Sequence, residues 1–336
     1  MRLVLRAITA TAFAALVVGS GFGQFSPPAS YGQPPTPQIV AYVITALQHG
    51  DLAQATALVG QYRRLNGDTP EALDALSWLA RGELVFGHPE AAEKDAGEIE
   101  RSATAALATR SLDKEPYLPI ALGAAYEIEA EILNAEHKKS EAVALLQNEM
   151  HQWRGTSIVS RLQKNLNLLT LEGKPMPALT ESEWIGAKPA SLTSLHGKVL
   201  LLFFWAHWCA DCKADAPIIA KLAHEFAPKG LVVLAPTRLY GYTAEEDHAT
   251  AAVERPFVKT VYERYYGDIP NVGVPLNDGN FERFGVSTTP TIVLVDRHGI
   301  VRLYHPGAMD EKALRAAIEP LVNQPAQLPT RASATR

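Results

Sequence analysis

The 336-residue sequence contains two cysteines, Cys209 and Cys212, separated by Ala210 and Asp211. A disulfide between so close a pair closes too small a loop to add much to folding stability, so the spacing points to reactivity rather than stapling. The matching chemistry is dithiol–disulfide exchange. One thiolate attacks a disulfide sulfur, and the second sulfur resolves the mixed disulfide and releases the product. A continuous apolar run at 199–205 precedes the pair, and a helical pattern at 217–226 follows it. A C-x-x-C between strand and helix puts the first sulfur at the helix N-terminus, where free backbone N–H groups and the helix dipole stabilise a thiolate. Position therefore assigns Cys209 as nucleophile and Cys212, one turn further in, as the resolving thiol. A C-x-x-C is also half of a zinc site, for which His196, His207 and His224 are candidates. A structural zinc site needs four ligands at fixed spacing, and no second cysteine pair exists. No metal is expected, and no cofactor other than the redox-active Cys209–Cys212 disulfide itself.

The elements that must hold this pair divide the chain. Residues 1–23 read as a signal peptide: Arg2 and Arg6 flank an apolar run from Ala7 to Val18, which Gly19, Ser20 and Gly21 close. Cleavage after Ser20, Gly21 or Gly23 and retention as an uncleaved anchor are both open, so the protein is expected in the periplasm or another extracytoplasmic space. A Pro-rich linker follows at 24–37. From 38 to 170 the spacing is helical, as in Leu52, Ala55, Val59 and Tyr62, or Ile158, Leu162, Leu166 and Leu169. Turn signals divide this stretch into about three helix hairpins, whose second helices open near Asp51, Pro89 and Ser140. Phrases such as Pro89-Glu90-Ala91-Ala92 resemble degenerate tetratricopeptide-type helices. Such a domain either offers a concave surface to a partner protein or is a plain helical bundle. A linker at 171–179 with Pro175 and Pro177 leads into a domain at 180–322, and 323–336 form a tail. The second domain reads as strand, helix, strand and helix, then a hairpin at 291–304 and a last helix at 308–321. That order predicts an α/β sandwich around one sheet.

The stretch Trp205-Ala206-His207-Trp208-Cys209-Ala210-Asp211-Cys212-Lys213 resembles the signature of the thioredoxin superfamily, and more closely that of the exported TlpA/ResA-like thiol–disulfide oxidoreductases. The resemblance covers about 180–322. Residues 192–199 resemble the family's lead-in to its first central strand, and Pro217 matches the proline of the active-site helix. Thr289-Pro290-Thr291 matches the family's cis-proline loop, which implies that Thr289 and Pro290 lie beside the sulfurs and offer backbone groups to an extended client strand. Phe203 stands where cytosolic thioredoxins carry a buried aspartate. Exported relatives carry an acid three residues after the second cysteine, here Asp215. One helical turn from Cys212, it could take the resolving thiol's proton, or it could be an idle surface carboxylate. Asp211 should raise the Cys209 pKa and favour the reducing end of the range, while Lys213 and the helix dipole oppose it. Trp208 is expected to pack beside the sulfurs and shield them. His207 is expected as a partly exposed neighbour, and the tyrosines from Tyr240 to Tyr266 as core packing more than groove.

With a net charge of −5 and no late Lys/Arg cluster, a nucleic-acid partner is not expected. The function read from these features is reduction of protein disulfides. The resemblance implies a membrane thiol electron donor and clients such as the haem-attachment cysteines of cytochrome c maturation. The alternatives are an oxidase or isomerase on the same fold, or a redox-responsive module whose helical domain recruits a partner protein. A peroxidase is disfavoured because the residues before Cys209 do not form its Thr/Ser-x-x-Cys pattern.

Overall fold

The computed structural model of the chain describes residues 35–180, 183–189, 191 and 195–324. The expected signal peptide, most of the 24–37 linker, part of the 192–199 lead-in and nearly all of the tail lie outside the described residues. Helices α1 (Gln38–Gln48) and α2 (Leu52–Asn66), α3 (Pro70–Val85) and α4 (Pro89–Leu107), and α5 (Leu118–Ala135) and α6 (Lys139–Gln152) form the three expected hairpins. A further helix, α7 (Val159–Thr170), follows them. Local chemistry explains where these helices start. The Asp51 carboxylate caps α2 by accepting from the Gln54 amide at 2.8 Å, the Thr69 hydroxyl caps α3, and Pro70 and Pro89 occupy first-turn positions where no N–H is needed.

The first helices of the hairpins pack on one another, α1 on α3, α3 on α5 and α5 on α7, so they form a layer backed by α2, α4 and α6. Small residues let them approach. Ala72, Ala75, Ala80, Ala121, Ala124 and Ala125 are buried between Leu73, Leu76, Leu79 and Leu122. Burying such side chains contributes about 25 cal/mol per Å² of apolar surface, and this core forms one continuous cluster from Ile39 to Leu162.

The second domain is a six-stranded mixed sheet in the order β1-β4-β3-β2-β5-β6. Its strands are β1 (Glu183–Gly186), β2 (Val199–Phe204), β3 (Leu231–Leu234), β4 (Gly273–Leu276), β5 (Thr291–Val295) and β6 (Val301–Pro306). Strands β2, β3 and β4 are parallel, β5 pairs antiparallel with β2, β6 antiparallel with β5, and the edge strand β1 antiparallel with β4. Strand β2 is buried on both faces, as its unbroken apolar run requires. Its alternation sorts the core. Val199, Leu201 and Phe203, continued by Trp205, join helices α8 (Ala210–Phe226), α9 (Ala251–Tyr265) and α11 (Glu311–Val322). Leu200, Leu202 and Phe204 face Phe281 and Phe284 at α10 (Asp278–Arg283), together with Leu171 and Leu179.

Three elements go beyond the sequence expectation: β1, β4 and α10. The first two have four residues each and α10 has six, and β4 contains Pro275, so none carries a usable periodicity. The 171–179 segment, read as a linker from its prolines, runs along the β6 edge. Met176 N–H donates to the Gly299 carbonyl, Val301 N–H to the Lys174 carbonyl and Gly173 N–H to the Val301 carbonyl.

Candidate active site

The C-terminal ends of β2 and β3 carry the site. Trp205 follows β2 and is fully buried, donating its indole N–H to the Ala235 carbonyl at 2.8 Å, while the Thr237 hydroxyl donates to the Trp205 carbonyl. These bonds fix the turn that delivers Cys209 to the start of α8. Cys209 and Cys212 are joined in a disulfide with Cα atoms 5.3 Å apart. Cys209 is the N-cap of α8, and its sulfur accepts the Cys212 N–H at 3.0 Å. The same N–H would hold a Cys209 thiolate after reduction. On its other side Cys209 Sγ lies 3.4 Å from the Thr289 carbonyl oxygen, and the Thr289–Pro290 peptide is cis. Cys209 keeps a sliver of surface, 3%, whereas Cys212 has none.

Asp215 is one turn beyond Cys212 and only 8% exposed, so it is a buried carboxylate and not a surface one. Burial pushes its pKa up to about 6, against the Met309 backbone N–H that favours the charged form, with Asp211 adding a smaller push upward. Its Oδ2 has no hydrogen-bond partner among the described residues. Tyr266 packs on Trp205 with ring centroids 4.4 Å apart, and its hydroxyl, also unpaired, is driven upward in pKa by burial and then by Asp215. Tyr266 also meets Phe203 at 6.2 Å, so aromatic packing fills the surroundings of the position where cytosolic thioredoxins carry an aspartate.

The rim is mixed. Asp211 is exposed in the first turn of α8, and Lys213 lies 5.2 Å over the Tyr265 ring, its pKa lowered by burial and then by Arg264. Trp208 is half-buried against Tyr240 at 5.7 Å, and its indole N–H is unpaired among the described residues. The tyrosines divide: Tyr242 and Tyr266 are core, Tyr240 supports Trp208, and Tyr265 is exposed beside Lys213.

His207 corrects its expectation, being 2% exposed rather than partly exposed. Its ring is enclosed edge-on by Tyr240, Tyr242 and Phe257, with centroids 5.0 to 5.4 Å away. Burial, and then the Lys213 charge, push its pKa down to about 4. Glu254 Oε1 is 3.2 Å from His207 Nε2, which would favour the imidazolium, but that contact is not aligned as a hydrogen bond. The Glu254 oxygens are committed elsewhere: one accepts the Tyr240 N–H at 2.6 Å and the other the Gly241 N–H at 2.7 Å. Desolvation therefore prevails and the imidazole is neutral. Glu254, fully buried on α9, was not legible in the sequence. A lone acid in a helix gives no signal until the loop whose amides it collects is in place. Glu254→Ala should orphan both amides and cost about 3 kcal/mol of unfolding free energy, read by urea titration.

The three histidines do not gather at the cysteines. His196 is exposed, His224 contacts the Asp268 carbonyl, and no group of three or more His, Cys, Asp or Glu side chains among the described residues is placed to hold a metal.

This fold and site define a thioredoxin-like protein with a redox disulfide at a helix N-terminus facing a cis-proline loop. Residues 171–318 match the Redoxin family. Over 144 residues the chain is 31% identical to the thiol:disulfide interchange protein DsbE of Pseudomonas fluorescens biotype C, an alignment covering 43% of this chain and 71% of that protein. It is 28% identical over 148 residues to the thioredoxin-like protein YneN of Bacillus subtilis, covering 44% and 79% respectively. It is 27% identical over 128 residues to the thiol-disulfide oxidoreductase ResA of Halalkalibacterium halodurans, covering 38% and 65%. The chain belongs to this family of thioredoxin-like thiol–disulfide oxidoreductases. The family match begins at the 171–179 segment and leaves α1–α7 outside it.

Proposed function

We propose that the chain is an exported reductase of protein disulfides in which Cys209 attacks, Cys212 resolves and Asp215 accepts the Cys212 proton. The observation that carries this reading is the inequality of the two sulfurs. Cys209 caps α8, touches the Thr289 carbonyl and keeps a 3% sliver of surface, while Cys212 has none. This difference supports the first as the sulfur that meets a client.

In the reduced protein the Cys209 thiolate attacks one sulfur of the client disulfide. An S–S bond forms between protein and client, the client's own S–S bond breaks, and one client thiolate leaves. The Cys212 thiol, with no solvent to take its proton, passes it to Asp215. Its sulfur then attacks Cys209 Sγ and expels the second client thiolate. Two electrons have moved from the dithiol to the client, and the Cys209–Cys212 disulfide of this structure is the product. Trp208 limits solvent at the sulfurs, and Thr289 and Pro290 offer backbone to the client strand. Asp211 and Lys213 tune the Cys209 thiolate in opposite directions.

Regeneration requires a thiol donor, proposed to be a membrane protein on the outer side. No helix among the described residues is long and apolar enough to cross a membrane. Export and any anchoring are assigned in this proposal to the basic and apolar pattern of residues 1–23. Haem-attachment cysteines as clients, and a partner protein on tetratricopeptide-like hairpins, belong to the same proposal.

The test is the equilibrium potential of the Cys209–Cys212 pair against glutathione or dithiothreitol, with Cys209→Ser as blank. A value near about −270 mV is expected for a reductase. One near about −120 mV would reassign the protein as an oxidant.

A further inference from the structure

Helix α7 ends the helical domain, yet part of its surface belongs to the redox domain. Asn167 is 4% exposed, and its side-chain amide donates to the Phe284 carbonyl at 2.9 Å, while Gln163 donates to Asn167 Oδ1 at 2.8 Å and so orients it. One residue on, Gly285 has φ +61° and lies against the α7 backbone. An added Cβ would sit 2.7 Å from the Gln163 carbonyl carbon and collide with the Lys164 amide. Only glycine allows that backbone-to-backbone approach. From the other side the Tyr304 hydroxyl of β6 donates to the Phe284 and Gly285 carbonyls at 2.8 and 3.2 Å. The Phe284 ring is fully buried against Phe204, 5.1 Å between centroids.

These two residues are the fixed end of the cis-proline loop. Four residues after Gly285 comes Thr289, whose carbonyl touches Cys209 Sγ. Downstream the loop is held by the Gly307 N–H on the Pro290 carbonyl at 2.7 Å and by the Thr291 hydroxyl on the Thr288 carbonyl. Its upstream hold is therefore shared among the end of α10, where the Val286 N–H donates to the Phe281 carbonyl at 2.8 Å, Tyr304 of the redox domain and α7 of the helical domain. A loop of this length moves with its ends, and exchange at a disulfide requires the client backbone to be placed to within about an ångström.

We propose that α7 is a positioning element of the redox site: Asn167 and the Gln163–Lys164 backbone hold Phe284–Gly285 and so fix the Thr289–Pro290 loop beside Cys209. The helical domain then sets how well a client strand is received. The effect on clients rests on the reductase reading given above, but the mechanical coupling does not.

The experiment uses the full chain with Asn167→Ala and, as a near-isosteric second variant, Tyr304→Phe. Amide hydrogen exchange of 286–291 should speed up by roughly tenfold in Asn167→Ala, with β2 amides unchanged. In dithiothreitol-driven reduction of insulin, KM should rise by roughly tenfold with kcat held, and by a smaller factor in Tyr304→Phe. Unchanged exchange at 286–291 in Asn167→Ala overturns the coupling whatever Tyr304→Phe does, as does faster exchange spread evenly over the domain. Should the wild-type chain fail to reduce insulin, the reductase reading falls while the exchange data still decide the coupling.

Discussion

Cys209→Ser should abolish disulfide reduction, and Cys212→Ser should instead arrest it halfway. Without the Cys209 sulfur no mixed disulfide forms, and a serine hydroxyl cannot replace it, so turnover should fall by roughly a thousandfold or more to the uncatalysed rate. Without Cys212 the first step survives. The client should remain bound to Cys209 as a covalent species seen by non-reducing electrophoresis and mass spectrometry, and dithiothreitol should release it. The structure supplies the asymmetry behind this pair of outcomes. Cys209 Sγ accepts the Cys212 N–H, a bond the Cys212→Ser backbone still provides, whereas Cys212 has no surface through which to meet a client. If Cys212→Ser accumulated no adduct while Cys209→Ser did, the assignment of the two sulfurs would be reversed.

The parts of this site legible in the sequence are those whose signal is local. A C-x-x-C between an apolar run and a helix gives both sulfurs and their order. Thr289-Pro290 before the β5 run marks the loop opposite. What stayed hidden depends on partners far along the chain. Glu254 becomes meaningful only when its carboxylate is found holding Tyr240 and Gly241, and His207 only when three aromatic rings close around it. A histidine between two tryptophans in an apolar stretch did carry a hint of burial, but spacing alone gave it no neighbours. Asn167 is the same case at larger scale. On a helix with Leu162 and Leu166 it reads as a surface position of an amphipathic helix, and its function appears only when a second domain covers that face. The 171–179 segment shows the reverse error. Its prolines suggest a free linker, but prolines also suit a strand-like edge contact that leaves alternate amides unused.

Asp215→Asn should stabilise the fold and slow the enzyme, and the two effects should follow pH differently. A carboxyl raised from 3.8 to about 6 binds its proton more tightly in the folded chain than in the unfolded one. Stability is therefore highest when it is protonated and is lost as pH rises through that window, leaving a cost above pH 6 of about 3 kcal/mol at most. Asparagine carries no charge to desolvate, so at pH 7.5 the variant should gain about 1–3 kcal/mol by urea titration. His207 works in the opposite sense. Lowered to about 4, it releases its proton on folding, so its contribution is present above pH 6.5 and is lost as pH falls towards 4. In the wild-type chain these slopes oppose each other between pH 4 and 6. Asp74, Glu83, Glu129 and Glu131, raised by burial to about 6 or 7, keep falling slopes in both chains, so the signature of Asp215 is the difference: the stability gained by Asp215→Asn over the wild type should grow with pH from 4 to 6 and level off above. Activity should respond the other way. If Asp215 takes the Cys212 proton, the single-turnover rate of mixed-disulfide resolution should rise with pH through about 6 in the wild type. In the variant that limb should vanish, and the rate at neutral pH should drop by about a hundredfold. A more stable variant with an unaltered resolution rate would leave Asp215 as buried charge without a catalytic part. A more stable and slower one identifies a carboxylate whose burial destabilises the fold while it takes the proton of a sealed Cys212 one helical turn away.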